Sequence, residues 1–209
     1  MKKSPLVWFV ILLAAMAGLT ALGPAEKTLG TNVRVVYLHG VWVWAALAAF
    51  LAAALAGTAG LILRRLNLQQ WSQALGRTGL FFWITYIPLS LWAMQTNWNG
   101  LFLAEPRWRL AVIFSITGLL LQTGLAVMDS PAWSSAANTG FFLALIFSLQ
   151  STENVMHPES PIFQSEALNI QLFFLTLLAL ALLAVWQAAR WFYQLGTGGR
   201  LTAGEASQR

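Results

Sequence analysis

The chain has 209 residues and a formal net charge of +5, with 58% hydrophobic and only 9% charged residues. Its mean hydropathy of +0.65 and its apolar runs exclude an ordinary soluble domain, because roughly 20 apolar residues cross a ~30 Å hydrocarbon core. The sequence contains no cysteine, which excludes disulfides, thiolate metal sites and redox dithiols. The basic residues are scattered at the ends of apolar runs, as orientation signals are, so the charge does not indicate nucleic-acid binding.

The apolar runs predict an all-α membrane protein, because unpaired backbone groups are prohibitive in lipid. The first run, residues 6–22, resembles a signal peptide, but no clean small-residue cleavage site follows it, and we expect a retained helix. One six-helix domain is therefore expected over residues 1–195, followed by a disordered tail at 196–209. The other five spans are predicted at residues 35–63, 78–95, 110–128, 137–150 and 168–187.

Basic residues predict the orientation of this bundle. With the N-terminus inside, eight of the twelve Lys and Arg residues fall on the inner side, which is the usual bias. We therefore expect a multi-pass protein of the inner (plasma) membrane with both termini cytoplasmic. Residues 24–38, 96–109 and 151–167 would then lie together on the outer face.

The only two histidines, His39 and His157, fall on this predicted outer face. Neutral imidazole is a good ligand for iron, and two histidines from different helix ends could bind a haem iron from opposite sides. The simpler interpretation makes His39 an interfacial side chain and His157 an ordinary loop residue. Gln122, Asp129, Asn138 and Gln150 lie at span ends or within spans, where isolated polar groups could join helices.

A polar and aromatic loop, residues 96–110, lies between the third and fourth spans and reads TNWNGLFLAEPRWRL. Its rings offer flat surfaces for a porphyrin, and its arginines could bind the two propionates through charge-assisted hydrogen bonds. Two simpler explanations stay open, since tryptophan belts form at both membrane interfaces and an arginine could pair with the loop's acid. The candidate residues are Trp98, Phe102, Glu105, Arg107, Trp108 and Arg109.

Three segments resemble the haem-handling membrane proteins of cytochrome c maturation, in particular the heme exporter protein C family. VRVVYLHGVWVW (33–44) is similar to the family segment in which a tyrosine and a histidine open a span. WNGLFLAEPRWRLAVIF (98–114) occupies the place of the family's tryptophan-rich signature, and ENVMHPESPIF (153–163) resembles the loop before its last span. Trp98, Glu105 and Arg107 match that signature, whereas Phe102 stands where the family has another tryptophan.

This resemblance implies a carrier rather than an enzyme. Haem b would be held non-covalently on the outer face between His39 and His157, and then presented to a haem chaperone or apocytochrome with the help of ABC-type exporter subunits. Two other functions stay open. One is a bis-histidine membrane cytochrome subunit in electron transfer, and the other is a non-haem scaffold subunit derived from the same family.

Overall fold

The computed structural model of the protein describes residues 4–153, 155, 162–163 and 166–206. This part of the chain is all-helical apart from short connections and one isolated bridge between Glu26 and Gly30. The helices are α1 (Pro5–Ala21), α2 (Val33–Ile62), α3 (Leu66–Trp98), α4 (Pro106–Met128), α5 (Pro131–Ser151) and α6 (Leu168–Ala206). The predicted all-α class is confirmed for the described residues.

Several helix ends carry clear local signals. Proline begins α1, α4 and α5, where its missing N–H is not needed and its fixed φ suits a helix. Ser4 and Ser130 precede two of these prolines and accept hydrogen bonds from backbone amides of the first turn. Asn99 and Asp129 end α3 and α4 in the left-handed conformation, with φ of 52° and 43°.

Four helices are long and apolar enough to cross a membrane, namely α2, α4, α5 and the Leu168–Gly196 part of α6. Their packing fits lipid rather than water. Ala45, Ala49 and Ala53 of α2 are fully buried, whereas Leu120 and Val127 of α4 are 68% and 84% exposed. Small residues inside and large apolar residues outside are typical of helices that pack closely within a membrane. The type of membrane and the side of each terminus stay predictions.

The structure differs most from the predicted spans at two places. The segment 66–77, predicted as a polar loop, forms the first three turns of α3, because Gln69 and Gln73 hydrogen-bond to Gly60 and Ser134 on neighbouring segments. Helix α6 also continues through residues 196–206, for which we expected a disordered tail. An existing helix extends without a new nucleation cost, gaining one hydrogen bond per added residue.

Helices α2 and α3 form the centre of the bundle. Helices α1 and α6 pack against each other and against this central pair. Helices α4 and α5 also pack against each other and against the central pair. Within the described residues, the α1–α6 pair does not contact the α4–α5 pair. The connections 22–32 and 99–105, with the described residues of the connection 152–167, lie at what we call the loop-rich end. The short connections 63–65 and 129–130 lie at the opposite end.

Candidate functional site

Hydrogen bonds tie the connections of the loop-rich end to neighbouring segments. Asn32 Nδ2 donates to the Thr96 carbonyl oxygen over 2.9 Å, which links the first connection to the end of α3. The Val155 amide donates to Glu105 Oε1 over 3.4 Å, which links the second connection to the third. The three loops that the sequence predicts on one face therefore meet at one end of the bundle.

His39 lies at this end, on the second turn of α2, and is half-buried. The centroid of its ring is 5.3 Å from that of Tyr86 on α3, with the rings tilted by 48°. Tyr86 in turn packs on Trp83, whose Nε1 donates to the Ala111 carbonyl oxygen of α4 over 3.1 Å. His39 thus packs between helices instead of projecting freely into the interface.

The neighbour of His39, Gly40, permits a close helix contact. A Cβ atom built at Gly40 would lie 3.2 Å from the ring of Phe174, which is tighter than most real contacts. Phe174 also packs edge-on against Phe163, with centroids 5.6 Å apart. The absence of a side chain at Gly40 therefore serves the packing of α2 against α6.

His157 lies outside the described residues, so its predicted position beside His39 stays a prediction. The structure describes residues on both sides of His157 in this connection. Val155 bonds to Glu105, and Phe163 packs edge-on against Trp44 of α2, with centroids 6.3 Å apart. Both flanks of the His157 segment therefore contact the loop-rich end.

The predicted aromatic platform is spread out. Trp98 and Phe102 are 36% and 41% exposed, and Trp108 is half-buried in the first turn of α4. In the described part of the chain these three rings make no ring–ring contact with each other. The structure brings them to the same end of the bundle without stacking them.

The two predicted propionate-binding arginines diverge. Arg107 Nη2 reaches the Leu149 carbonyl oxygen of α5 at 3.5 Å. Arg109 Nε donates to the Leu103 carbonyl oxygen over 3.1 Å, within its own connection. Glu105, between Leu103 and Arg107 in the chain, is the N-cap residue of α4, but its side chain does not cap the helix. The acid instead holds the third connection through Val155.

Buried polar atoms around the α3–α4 connection that have no hydrogen-bond partner among the described residues include Asn97 Oδ1, Glu105 Oε2 and Trp108 Nε1. Most buried polar atoms in folded proteins are paired, because an unpaired one costs roughly 1–3 kcal/mol. Asn97 Oδ1 and Glu105 Oε2 are acceptors, and Trp108 Nε1 is a donor.

A groove of about 540 Å³ opens between α4 and α5 at the same end. Arg109 lines it, as do the apolar side chains of Ile113 and Phe147. Of the seven described residues that were predicted to bind a cofactor, only Arg109 lines this groove. His39 does not reach it, so the groove and the half-buried histidine are separate features.

Toward the opposite end, the same bundle carries a closed set of side-chain hydrogen bonds that we call the polar network. Asn138 of α5 donates to the Ser72 carbonyl oxygen over 2.8 Å and accepts from Gln122 of α4 over 2.9 Å. Ser72 Oγ donates to the Ala53 carbonyl oxygen of α2 over 2.7 Å, and Gln73 donates to Ser134 over 3.3 Å. These bonds join α2, α3, α4 and α5, which confirms that Gln122 and Asn138 link helices.

The sequence interpretation missed Ser72 and Gln73 because it treated their segment as a loop. A usable signal was present, since Ser72, Gly76 and Gly79 follow the spacing of one helical face. A Cβ atom built at Gly76 would lie 2.6 Å from the Asn138 amide, and one built at Gly79 would lie 2.6 Å from Phe50. Small residues on one face are typical of closely packed membrane helices.

The first connection has its own electrostatic anchor. Glu26 Oε2 accepts hydrogen bonds from the backbone amides of Thr28 and Leu29 at 2.8 and 2.9 Å. The bond from the Leu29 amide, followed by that from Thr28, lowers the pKa of the Glu26 carboxyl below its ordinary value of 4.5. Arg34 and Tyr37 then tie this connection to α2 by donating to the carbonyl oxygens of Gly23 and Pro24.

No family model, curated protein or solved structure matches the chain. The resemblance to the cytochrome c maturation family therefore stays a prediction that rests on its quoted segments. In the part of the chain that the structure describes, no group of three or more His, Cys, Asp or Glu side chains could hold a metal ion.

Proposed function

We propose that this protein binds haem b at its loop-rich end, with His39 and His157 as the axial ligands, and presents it for cytochrome c assembly. One observation carries the proposal. His39 is half-buried at the end where the Val155–Glu105 hydrogen bond holds the connection that contains His157. His39 on α2 and His157 on the connection before α6 would then supply one axial ligand each.

The residues at this end fit haem through their donor chemistry. Imidazole would bind iron, and Arg107 would meet a propionate through a charge-assisted hydrogen bond. The unpartnered Trp108 Nε1 could donate to the second carboxylate. Trp98, Phe102 and Trp108 would cover the ring, while Glu105 holds the third connection. Because Arg109 lines the separate α4–α5 groove, we keep Arg107 as the propionate partner.

The proposal also assigns a topology. Connections 22–32, 99–105 and 152–167 share one end, so α3 must return the chain across the membrane if α2 and α4 cross it. Helix α1 has 17 residues, or roughly 26 Å at 1.5 Å per residue, which nearly matches the hydrocarbon core. The excess of basic residues at the opposite end supports six spans in the inner membrane with both termini cytoplasmic.

Bound haem would supply its own iron and porphyrin chemistry, while this chain's residues would bind, orient and release it. A carrier needs no turnover, so we propose no enzymatic step. An ABC-type exporter and a haem chaperone are the partners that the family resemblance favours.

Purification from haem-replete cells tests the proposal by absorbance. We expect the Soret and α bands of a six-coordinate haem, and we expect both His39→Ala and His157→Ala to lose them. Arg65→Gln, at an exposed position of the opposite end, is the control that should keep the spectrum. A colourless protein that takes up no added haem would contradict the proposal and favour a scaffold. Reversible reduction coupled to a quinone would favour a cytochrome subunit instead.

A further inference from the structure

The groove between α4 and α5 is open along its length. Its walls include Ile113 and Phe147, which are 60% and 72% exposed. The helices close on each other below it, where Phe114 packs on Phe141 with ring centroids 5.5 Å apart. Both helices are apolar enough to cross a membrane, so the open side of the groove would face lipid.

The groove changes from polar to apolar along the helix axes. Arg109 lies in the first turn of α4, while Ser151 and Thr152 lie at the end of α5, so these lining residues form a polar rim. Ile113 and Phe147 line the groove about one turn deeper. A ligand that fits this gradient has a polar head at the level of the helix ends and an apolar chain below it.

The charge of the rim residues determines whether an anionic or a cationic headgroup fits the groove. Arg109 uses Nε for the Leu103 carbonyl oxygen, and its two terminal nitrogens have no hydrogen-bond partner among the described residues. The groove is lined by no acidic residue within the described part of the chain. A guanidinium with free terminal nitrogens matches a phosphate well, because the two can form paired charge-assisted hydrogen bonds.

We propose that the α4–α5 groove binds an anionic phospholipid, with its phosphate at Arg109 and an acyl chain against Ile113 and Phe147. The hydroxyls of Ser151 and Thr152 donate within the helix to the carbonyl oxygens of Phe147 and Ser148. Their oxygen lone pairs therefore suit a headgroup that donates hydrogen bonds, as glycerol does. This site is independent of the haem proposal, because it uses neither histidine.

Native mass spectrometry of the detergent-solubilised full chain tests this site with equal amounts of dioleoyl phosphatidylglycerol and dioleoyl phosphatidylcholine. One arginine near a membrane surface gives an anionic lipid about a fivefold advantage. We expect a ratio of phosphatidylglycerol to phosphatidylcholine adducts near that value, falling close to one in Arg109→Gln. Ser148→Phe, which fills the groove from α5, should lower the phosphatidylglycerol adduct as well.

The matched control is Arg65→Gln, which removes an exposed arginine from the opposite end and should leave the ratio unchanged. Three results would overturn the proposal: a wild-type protein without preference, an unchanged ratio in Arg109→Gln, or an equal loss in Arg65→Gln. The last result would assign the preference to overall positive charge rather than to the groove.

Discussion

The two ends of this bundle treat their buried polar groups in opposite ways. Toward the opposite end, Asn138 is 4% exposed and its side chain pairs through both of its polar atoms. At the loop-rich end, Glu105 Oε2 and Trp108 Nε1 are buried without a partner among the described residues. In a low-dielectric interior a closed network rigidifies the packing, whereas unpaired groups raise the energy of the free protein.

We infer from this contrast that stability and ligand binding depend on different ends of the bundle. The polar network and the glycine contacts beside it hold four helices in one arrangement. The loop-rich end carries buried polar atoms, such as Glu105 Oε2 and Trp108 Nε1, that have no hydrogen-bond partner among the described residues. Stability would then depend mainly on residues toward one end and ligand binding on residues toward the other, and variants at each end can test that separation.

The largest effect should come from Gly57→Leu. A Cβ atom at Gly57 would lie 2.9 Å from the Ser135 backbone oxygen and 2.7 Å from Ser72 Oγ, so α2 would have to move away from both α3 and α5. Overpacking against backbone of this kind lowers the free energy of unfolding by about 3 kcal/mol. Unfolding in mixed micelles measures it.

Gly124→Leu is the matched control for that variant. It lies on exposed α4 surface, where a Cβ atom would meet nothing within 4 Å. Equal destabilisation by the two substitutions would show that the close contacts at Gly57 do not hold the helices together.

The next effect should come from Asn138→Ala, which opens the polar network. The substitution leaves Gln122 Nε2 and the Ser72 carbonyl oxygen without these partners, and we expect a loss of about 2 kcal/mol of unfolding free energy. The same micelle unfolding experiment measures it. Gln150→Ala, an exposed position on the same helix, should change stability by less than about 0.5 kcal/mol. A similar small change in Asn138→Ala would mean that the network is only incidental to the fold.

A pair of tryptophan variants compares the two kinds of indole N–H directly. Trp83 is 1% exposed and donates to Ala111, whereas Trp108 Nε1 has no partner among the described residues. The same atoms are removed by Trp83→Phe and Trp108→Phe. We expect the first to cost at least about 1 kcal/mol more in unfolding free energy, because it breaks a buried hydrogen bond. Equal costs would contradict the contrast between paired and unpaired groups.

The smallest effect concerns pH. Because the folded pKa of Glu26 is lowered from 4.5, its contribution to stability is present above pH 4.5 and is lost as the pH falls through the folded pKa. As the pH falls through the folded pKa, hydrogen exchange of the Thr28 and Leu29 amides should accelerate in the wild-type protein, relative to their exchange in Glu26→Gln at the same pH. Identical wild-type and variant exchange rates above pH 4.5 would exclude this anchor.

The sequence predicted the helices where apolar runs were long, and it failed where tertiary contacts decided the outcome. The sequence placed the start of the fourth span at residue 110, whereas α4 begins at Pro106, where proline is a local start signal. The start of α3 was not predicted, because burial of the Gln73 side chain there is favourable only when Ser134 of α5 accepts its hydrogen bond. Such a bond depends on how helices far apart in the chain meet.

The candidate site was predictable to a similar extent. The rarity of histidine identified His39, and the predicted topology placed its end correctly relative to Glu105. The contact of His39 with Tyr86 was not predictable, because it depends on how α2 is rotated about its axis against α3. The α4–α5 groove depends on how far those two helices separate near Arg109, which no local pattern encodes.

The spin state of added ferric haem tests the central claim most directly, because it reports the axial ligands themselves. Electron paramagnetic resonance of the wild-type protein should show low-spin, bis-histidine haem. His39→Ala and His157→Ala should each lose that low-spin signal, while Asn138→Ala that remains folded keeps it. A low-spin signal that survives both histidine substitutions, or its absence from the wild-type protein, would contradict a haem site at the loop-rich end.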